Sequence, residues 1–230
     1  MLKLTQLHGF NAVYREVDLA FTDSANAEDF DFQVSISTFE DMDIGAAASD
    51  RYVYTVYGFK NDGAVTSVTI GGISATEAIT GFNSNVTGEL IRIAIWYALV
   101  PTGTTATCLF NHSGGTVEKA ALAVYTARGV GNPALATDND NQTIQTANGG
   151  PFAVPPGGAV IAGSVWGDNS STLWSGLTED SDMVPSAGDG QVSSASEDFR
   201  VGDSSLSISA TFGLFENGAL AAVVIAPRTA

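Results

Sequence analysis

Alternation of apolar and polar residues is clearest between Glu89 and Phe110, ELIRIAIWYALVPTGTTATCLF. It predicts two antiparallel strands joined at Pro101-Thr102-Gly103. Ile91, Ile93, Ile95, Tyr97 and Leu99 recur at period two, and β-branched and aromatic residues suit a pleated, half-buried surface. The opposite face carries Leu90, Arg92, Ala94, Trp96 and Ala98. It is too apolar for open solvent yet interrupted by a charge, so something is expected to cover part of it.

Similar runs recur along the chain. Phe30, Phe32, Val34 and Ile36 alternate with polar residues, and Tyr52 to Tyr57 follows, ahead of the turn signal Asn61-Asp62-Gly63. Val65 to Ile70 and Ile73 to Ile79 flank Gly71-Gly72, which predicts either two short strands or one bent strand. Ala120 to Thr126, Ala159 to Trp166, Thr172 to Leu177, Leu206 to Phe212 and Leu220 to Ile225 bring the expected number to roughly ten strands. TDNDNQTIQTANGGP reads as a long polar stretch between two of them. Glu77–Ile79, Val117–Ala123 and Ala219–Val224 have some helical character, but β-branched neighbours and glycine punctuation favour strand. No motif repeats at fixed spacing, which argues against a solenoid or propeller.

The expected fold is therefore all-β: a two-sheet antiparallel sandwich, jelly-roll-like or Ig-like, at residues 29–230. Residues 1–28 carry Leu2, Leu4, Leu7, Phe10, Val13, Tyr14, Val17, Leu19 and Phe21 ahead of the turn-prone TDSANAED. That is more apolar mass than a solvated tail carries, and it predicts an arm that packs on the body or on a neighbour. Leu4, Leu7, Phe10 and Tyr14 of the arm, with Arg92 and Trp96 of the outer face, are the expected partner-binding residues.

Charge narrows the range of partners. Twenty-five acidic against nine basic residues give a net charge of −16, a field that repels phosphate backbones and anionic headgroups, so neither nucleic acid nor membrane is an expected partner. No secretory leader or long apolar run is evident at the start, and the chain reads as made in the cytoplasm. On that reading Asn85, Asn111, Asn141 and Asn169 stand in chance sequons. The single cysteine, Cys108, lies in an alternating run and reads as a small buried residue.

Candidate chemistry is sparse, and no catalytic residue, metal site or cofactor is expected. His8 and His112 are the only histidines, and no G-x-S-x-G spacing supports a serine triad. One Cys and two distant His do not make a zinc site. Asp138-Asn139-Asp140-Asn141 and Glu179-Asp180-Ser181-Asp182 offer hard oxygen ligands in what read as solvated loops, without the spacing of a calcium loop. A carboxylate pair for glycoside hydrolysis is a weaker alternative, since spacing along the chain does not give the separation that would identify it. Trp166 and Trp174 flank Asp168-Asn169-Ser170-Ser171. A five-residue loop would bring the rings onto one face as a sugar-stacking platform, and a four-residue loop would put them on opposite faces as packing anchors.

VTIGG followed by Ala75-Thr76, YALVPTGTTAT at 97–107, AVYTARG at 123–129, PPGGAVIAGS at 155–164 and TLWSGLTEDSD at 172–182 together resemble a β-sandwich family of virion-associated proteins of tailed bacteriophages and prophages, over about residues 30–226. These are turn and packing signatures, and they carry no catalytic residue. The resemblance implies a structural protein of the virion, a capsid decoration or cement protein that forms homo-oligomers and binds the major capsid protein or other virion proteins. A carbohydrate-binding fibre module using Trp166 and Trp174 is the alternative it leaves open.

Overall fold

A computed structural model describes residues 15–26, 35–60, 63–84, 90–113, 117, 119–142, 145–167, 171–185, 190–213 and 217–229. The described residues contain no helix and form seventeen strands, with every pairing antiparallel. In chain order these are β1 (Asp18–Asn26), β2 (Ile36–Asp43), β3 (Tyr52–Lys60), β4 (Val65–Ile70), β5 (Ile73–Ser74), β6 (Thr76–Ser84), β7 (Leu90–Leu99), β8 (Thr105–His112) and β9 (Lys119–Arg128). They continue as β10 (Val130–Gln142), β11 (Thr146–Val154), β12 (Gly158–Trp166), β13 (Leu173–Ser175), β14 (Thr178–Met183), β15 (Gln191–Phe199), β16 (Asp203–Thr211) and β17 (Gly218–Pro227). Of the three stretches with some helical character, Glu77–Ile79 and Ala219–Val224 fall within strands β6 and β17, and the described part of Val117–Ala123 is extended and runs into β9.

The strands make four layers. The outer sheet β2-β8-β4-β5 covers the inner sheet β1-β9-β3-β7-β6, and the outer sheet β11-β16-β13 covers the inner sheet β10-β17-β12-β15-β14. Phe39, Tyr57, Phe59, Trp96 and Phe110 fill the first sandwich, and Phe152, Trp166, Ile208 and Phe212 fill the second. A third apolar layer, with Tyr54, Val56, Ile93, Ile161 and Val223, joins the two inner sheets. Both faces of an inner strand are thus core, which is why β3, β9, β12 and β17 are apolar almost throughout rather than alternating. The inner sheets approach so closely that a Cβ on Gly163 would overlap Val56.

The halves repeat one topology: the order β1-β9-β3-β7-β6 reappears as β10-β17-β12-β15-β14, and β2-β8-β4 reappears as β11-β16-β13. Edge strand β1 of one inner sheet runs beside β14 of the other, and β6 beside β10, as in an approximate two-fold relation. The chain is therefore a duplicated sandwich rather than a single one.

Two further expectations change. Strands β7 and β8 do not pair: β7 lies between β3 and β6, while β8 lies between β2 and β4. Residues 100–104 carry the chain from one layer to the other, turning at Gly103 with φ of 77°; residues 200–202 do the same in the second half through Gly202 at 74°. The expected arm also loses its last part. Asp18–Asn26 is edge strand β1, registered on β9 from Asp18 opposite Arg128 to Asn26 opposite Ala121, because Val17, Leu19 and Phe21 pack against the layer between the inner sheets.

Candidate functional site

The groups singled out from the sequence that lie among the described residues have definite environments. Trp96 is 6% exposed and sits in the core of the first sandwich. The expectation that it lies beneath the arm or a neighbouring subunit is corrected: the cover over Ala94, Trp96 and Ala98 is this chain's own outer sheet. Arg92 lies on the same face of β7, toward its start. Phe59 of β3 and Phe82 of β6 stand opposite it in register. Its guanidinium lies 5.3 Å from the centre of the Phe82 ring, and its Nε is buried without a hydrogen-bond partner. A groove of about 250 Å³ opens here, lined by Phe59, Val65, Glu77, Thr80, Phe82 and Arg92. Leu4, Leu7, Phe10 and Tyr14 lie outside the described residues.

Trp166 and Trp174 do not form a platform. Trp166 is fully buried and stacks on Phe212, with ring centres 4.8 Å apart and planes 9° apart. Trp174 is half-buried at the edge of the same core and donates from Nε1 to Ser193 Oγ at 2.8 Å. Both are packing anchors, so the glycan-binding assignment to this pair is corrected.

The acidic clusters are strands, not solvated loops. Along β10, Asp138 accepts the Gly150 N–H at 2.8 Å and Asp140 accepts the Asn148 N–H at 2.8 Å. The alternate residues turn to the other side: Asn139 donates to the Thr80 carbonyl at 2.7 Å, and Asn141 accepts the Phe82 N–H at 2.9 Å. The TDNDNQ run thus satisfies amides and carbonyls at the edges of β11 and β6, groups that would otherwise offer a template to another chain. In the first half, Asp23 does the same for the Asp43 N–H at 2.9 Å.

In the second cluster, Asp180 accepts from Tyr125 OH at 2.9 Å and Ser196 Oγ at 2.7 Å, and Asp182 accepts the Thr172 N–H at 3.2 Å. Burial raises the Asp180 pKa, and the two hydroxyl donors partly oppose that shift. Among the described residues no group of three or more His, Cys, Asp or Glu side chains is placed to hold a metal ion.

His112 belongs to a buried polar group. Its Nε2 is 3.3 Å from Ser37 Oγ and 3.2 Å from Tyr57 OH, and Tyr57 donates to Ser37 at 2.8 Å. Among the described residues its Nδ1 is buried without a partner, and no carboxylate orients the ring as a triad would require. Burial pushes its pKa down to about 4. Cys108 is buried and its thiol is raised to about 12 by the same cause, with Asp23 adding to it, so it stays protonated.

Sequence reasoning missed Arg51. Fully buried, it donates from Nε to Val100 O, from one terminal nitrogen to Ile44 O and Gly45 O, and from the other to Thr102 O and Gly103 O, over 2.7–3.1 Å. It pins the crossing between β7 and β8. An arginine before an apolar strand carries no signal of this role. At the other end of the molecule a cavity of about 50 Å³ lies where β3 and β12 end, lined in part by Lys60, Lys119 and Gln191. That is room for a few waters rather than a sugar ring.

Comparison with known proteins returns no matching family model, no matching curated protein and no matching solved structure.

Proposed function

We propose that this chain is a structural protein of a tailed-phage particle, a capsid decoration or cement protein that holds to the shell through its N-terminal segment and sits beside further copies of itself. The observation that carries this reading is the way the chain enters its body. Arg15 N donates to Arg228 O and Val17 N to Gly157 O at 2.8 Å, so the segment before Arg15 starts from a fixed point. Residues 1–14 include Leu2, Leu4, Leu7, Phe10, Val13 and Tyr14. Next to Gly157 an open groove of about 510 Å³ displays Leu135, Pro155, Pro156 and Val201, with Val201 89% exposed. An exposed apolar patch therefore lies at the end where the segment begins, in a chain whose three tryptophans are all at least half-buried.

The mechanism is mass action. A ligand that binds the assembled shell and not its free subunits stabilises it by an amount that grows with the logarithm of its concentration above Kd, and each Leu or Phe that docks contributes about 1.5–3 kcal/mol before ordering entropy is subtracted. The test compares the full chain with a body beginning at Arg15 in co-sedimentation with assembled shells. The full chain is expected to co-sediment, and the shorter body to fold with a cooperative melt yet stay in the supernatant. Equal co-sedimentation of both would remove the segment from the attachment device.

A further inference from the structure

The fold can satisfy a buried guanidinium completely, as the five carbonyl contacts of Arg51 demonstrate. At the part-buried Arg92 it leaves the buried Nε unpaired. Among the described residues no hydrogen bond or ion pair engages this side chain; it has only the Phe82 ring. Burial lowers its pKa, and no neighbouring carboxylate raises it. Glu77, in the lining of the same groove, is held by Thr80 Oγ1 at 2.6 Å. A cation partly withdrawn from water without a counter-charge is disfavoured, and an arginine fork against an aromatic ring is well suited to receive a carboxylate. Phe82 is 49% exposed although it faces this cation, so the groove is open for an occupant.

The opposite flank of the same sandwich presents the complement. Strand β2 is the far edge of the outer sheet, whose other edge, β4-β5, lies on the groove side. Its register on β8 breaks between Phe39 and Met42, both buried, so that Glu40 and Asp41 are extruded into solvent. Asp41 has φ of 54°, the left-handed region that non-glycine residues rarely adopt. Three acids on other edge strands are engaged by backbone amides: Asp23, Asp138 and Asp140 each accept two. Glu40 and Asp41 are engaged by no hydrogen bond or ion pair among the described residues.

We infer that the Arg92–Phe82 groove is a carboxylate-binding contact whose occupant is the Glu40–Asp41 bulge of a second copy of this chain. Donor and acceptor lie on different flanks, so the contact is heterologous and links copies head to tail into a ring or a file. It deepens the proposed side-by-side arrangement but needs no shell, so it can fail while the attachment reading stands, and the reverse.

The experiment is sedimentation velocity on the full chain over a range of concentrations, at moderate salt to screen the net charge. Concentration-dependent association is expected, weakened at least tenfold by Arg92→Glu and by Glu40→Arg with Asp41→Arg. Combining the three substitutions should restore it. Arg92→Gln, which keeps a polar side chain at the rim, serves as the second variant should the glutamate fail to fold, and should weaken association in the same direction. A chain that stays monomeric throughout, or association unmoved by either Arg92 variant, would overturn the contact. Loss at Arg92 without restoration by the charge exchange would overturn Glu40–Asp41 as the occupant and leave the carboxylate to another protein.

Discussion

Replacing Arg51 with methionine tests whether the crossing between the layers of the first sandwich depends on one side chain. Methionine keeps much of the length and apolar stem but removes all five donors. Three of the carbonyls, those of Gly45, Thr102 and Gly103, are bonded at part-buried positions and can turn to water. The bonds to Val100 O and Ile44 O are buried, so those two carbonyls are stranded. At about 1–3 kcal/mol for each stranded buried group the loss is about 2–6 kcal/mol, with about 4 as the central value. In a chain of this length that lowers the melting temperature by about 8–16 °C. Arg51→Lys, with three donors on a point charge instead of a planar fork, should lose about half as much. Urea denaturation followed by circular dichroism measures both. A loss below about 1 kcal/mol for Arg51→Met would mean that neighbouring strands hold the crossing and that the five contacts of the guanidinium do not.

Three other outcomes follow from the same reasoning. Because the His112 pKa is about 4 in the folded chain against an ordinary 6.5, the unfolded state binds more protons between those values. Its contribution is complete above about pH 6.5 and is lost as pH falls toward 4, by at most about 3 kcal/mol; in His112→Phe, urea midpoints across this window should flatten. Trp96→Ala should cost about 3–5 kcal/mol of stability, as a large core truncation, with self-association unchanged at temperatures where the variant is folded; weakened association at unchanged stability would return Trp96 to an interface. Asp138→Ala leaves the Gly150 amide without its acceptor and should raise hydrogen exchange at Gly150 and along the β11 edge, whereas unchanged protection would show that the carboxylate does not cover that edge.

The parts of the fold visible in the sequence are those where burial follows a simple period. Apolar residues on both faces of β7 point to a covered strand, and the structure supplies the cover. What stays hidden has physical causes. The β10 run TDNDNQ looks like a loop because its polar side chains serve neighbouring strand edges on both sides, a pattern that hydropathy reads as solvent. The duplication is hidden because the two halves keep topology rather than residues. Phe59, opposite Arg92 and Ala120, packs against His112; Trp166, opposite Gln191 and Gly218, packs against Phe212. Edge strand β1 reads as part of an arm because its apolar residues face a core to which both halves of the chain contribute. Arg92 is legible as a charge out of place on an apolar face, but the part played by Phe82 needs the cross-strand register.

The central claim, that this is a shell-bound structural protein, is tested most directly by electron cryomicroscopy of tailed-phage particles assembled with and without this chain. The account predicts additional density on the capsid surface in the first preparation, into which the four-layer body fits with its Arg15–Val17 end toward the shell. Particles identical in both preparations, with the chain recovered only from the soluble fraction, would contradict it.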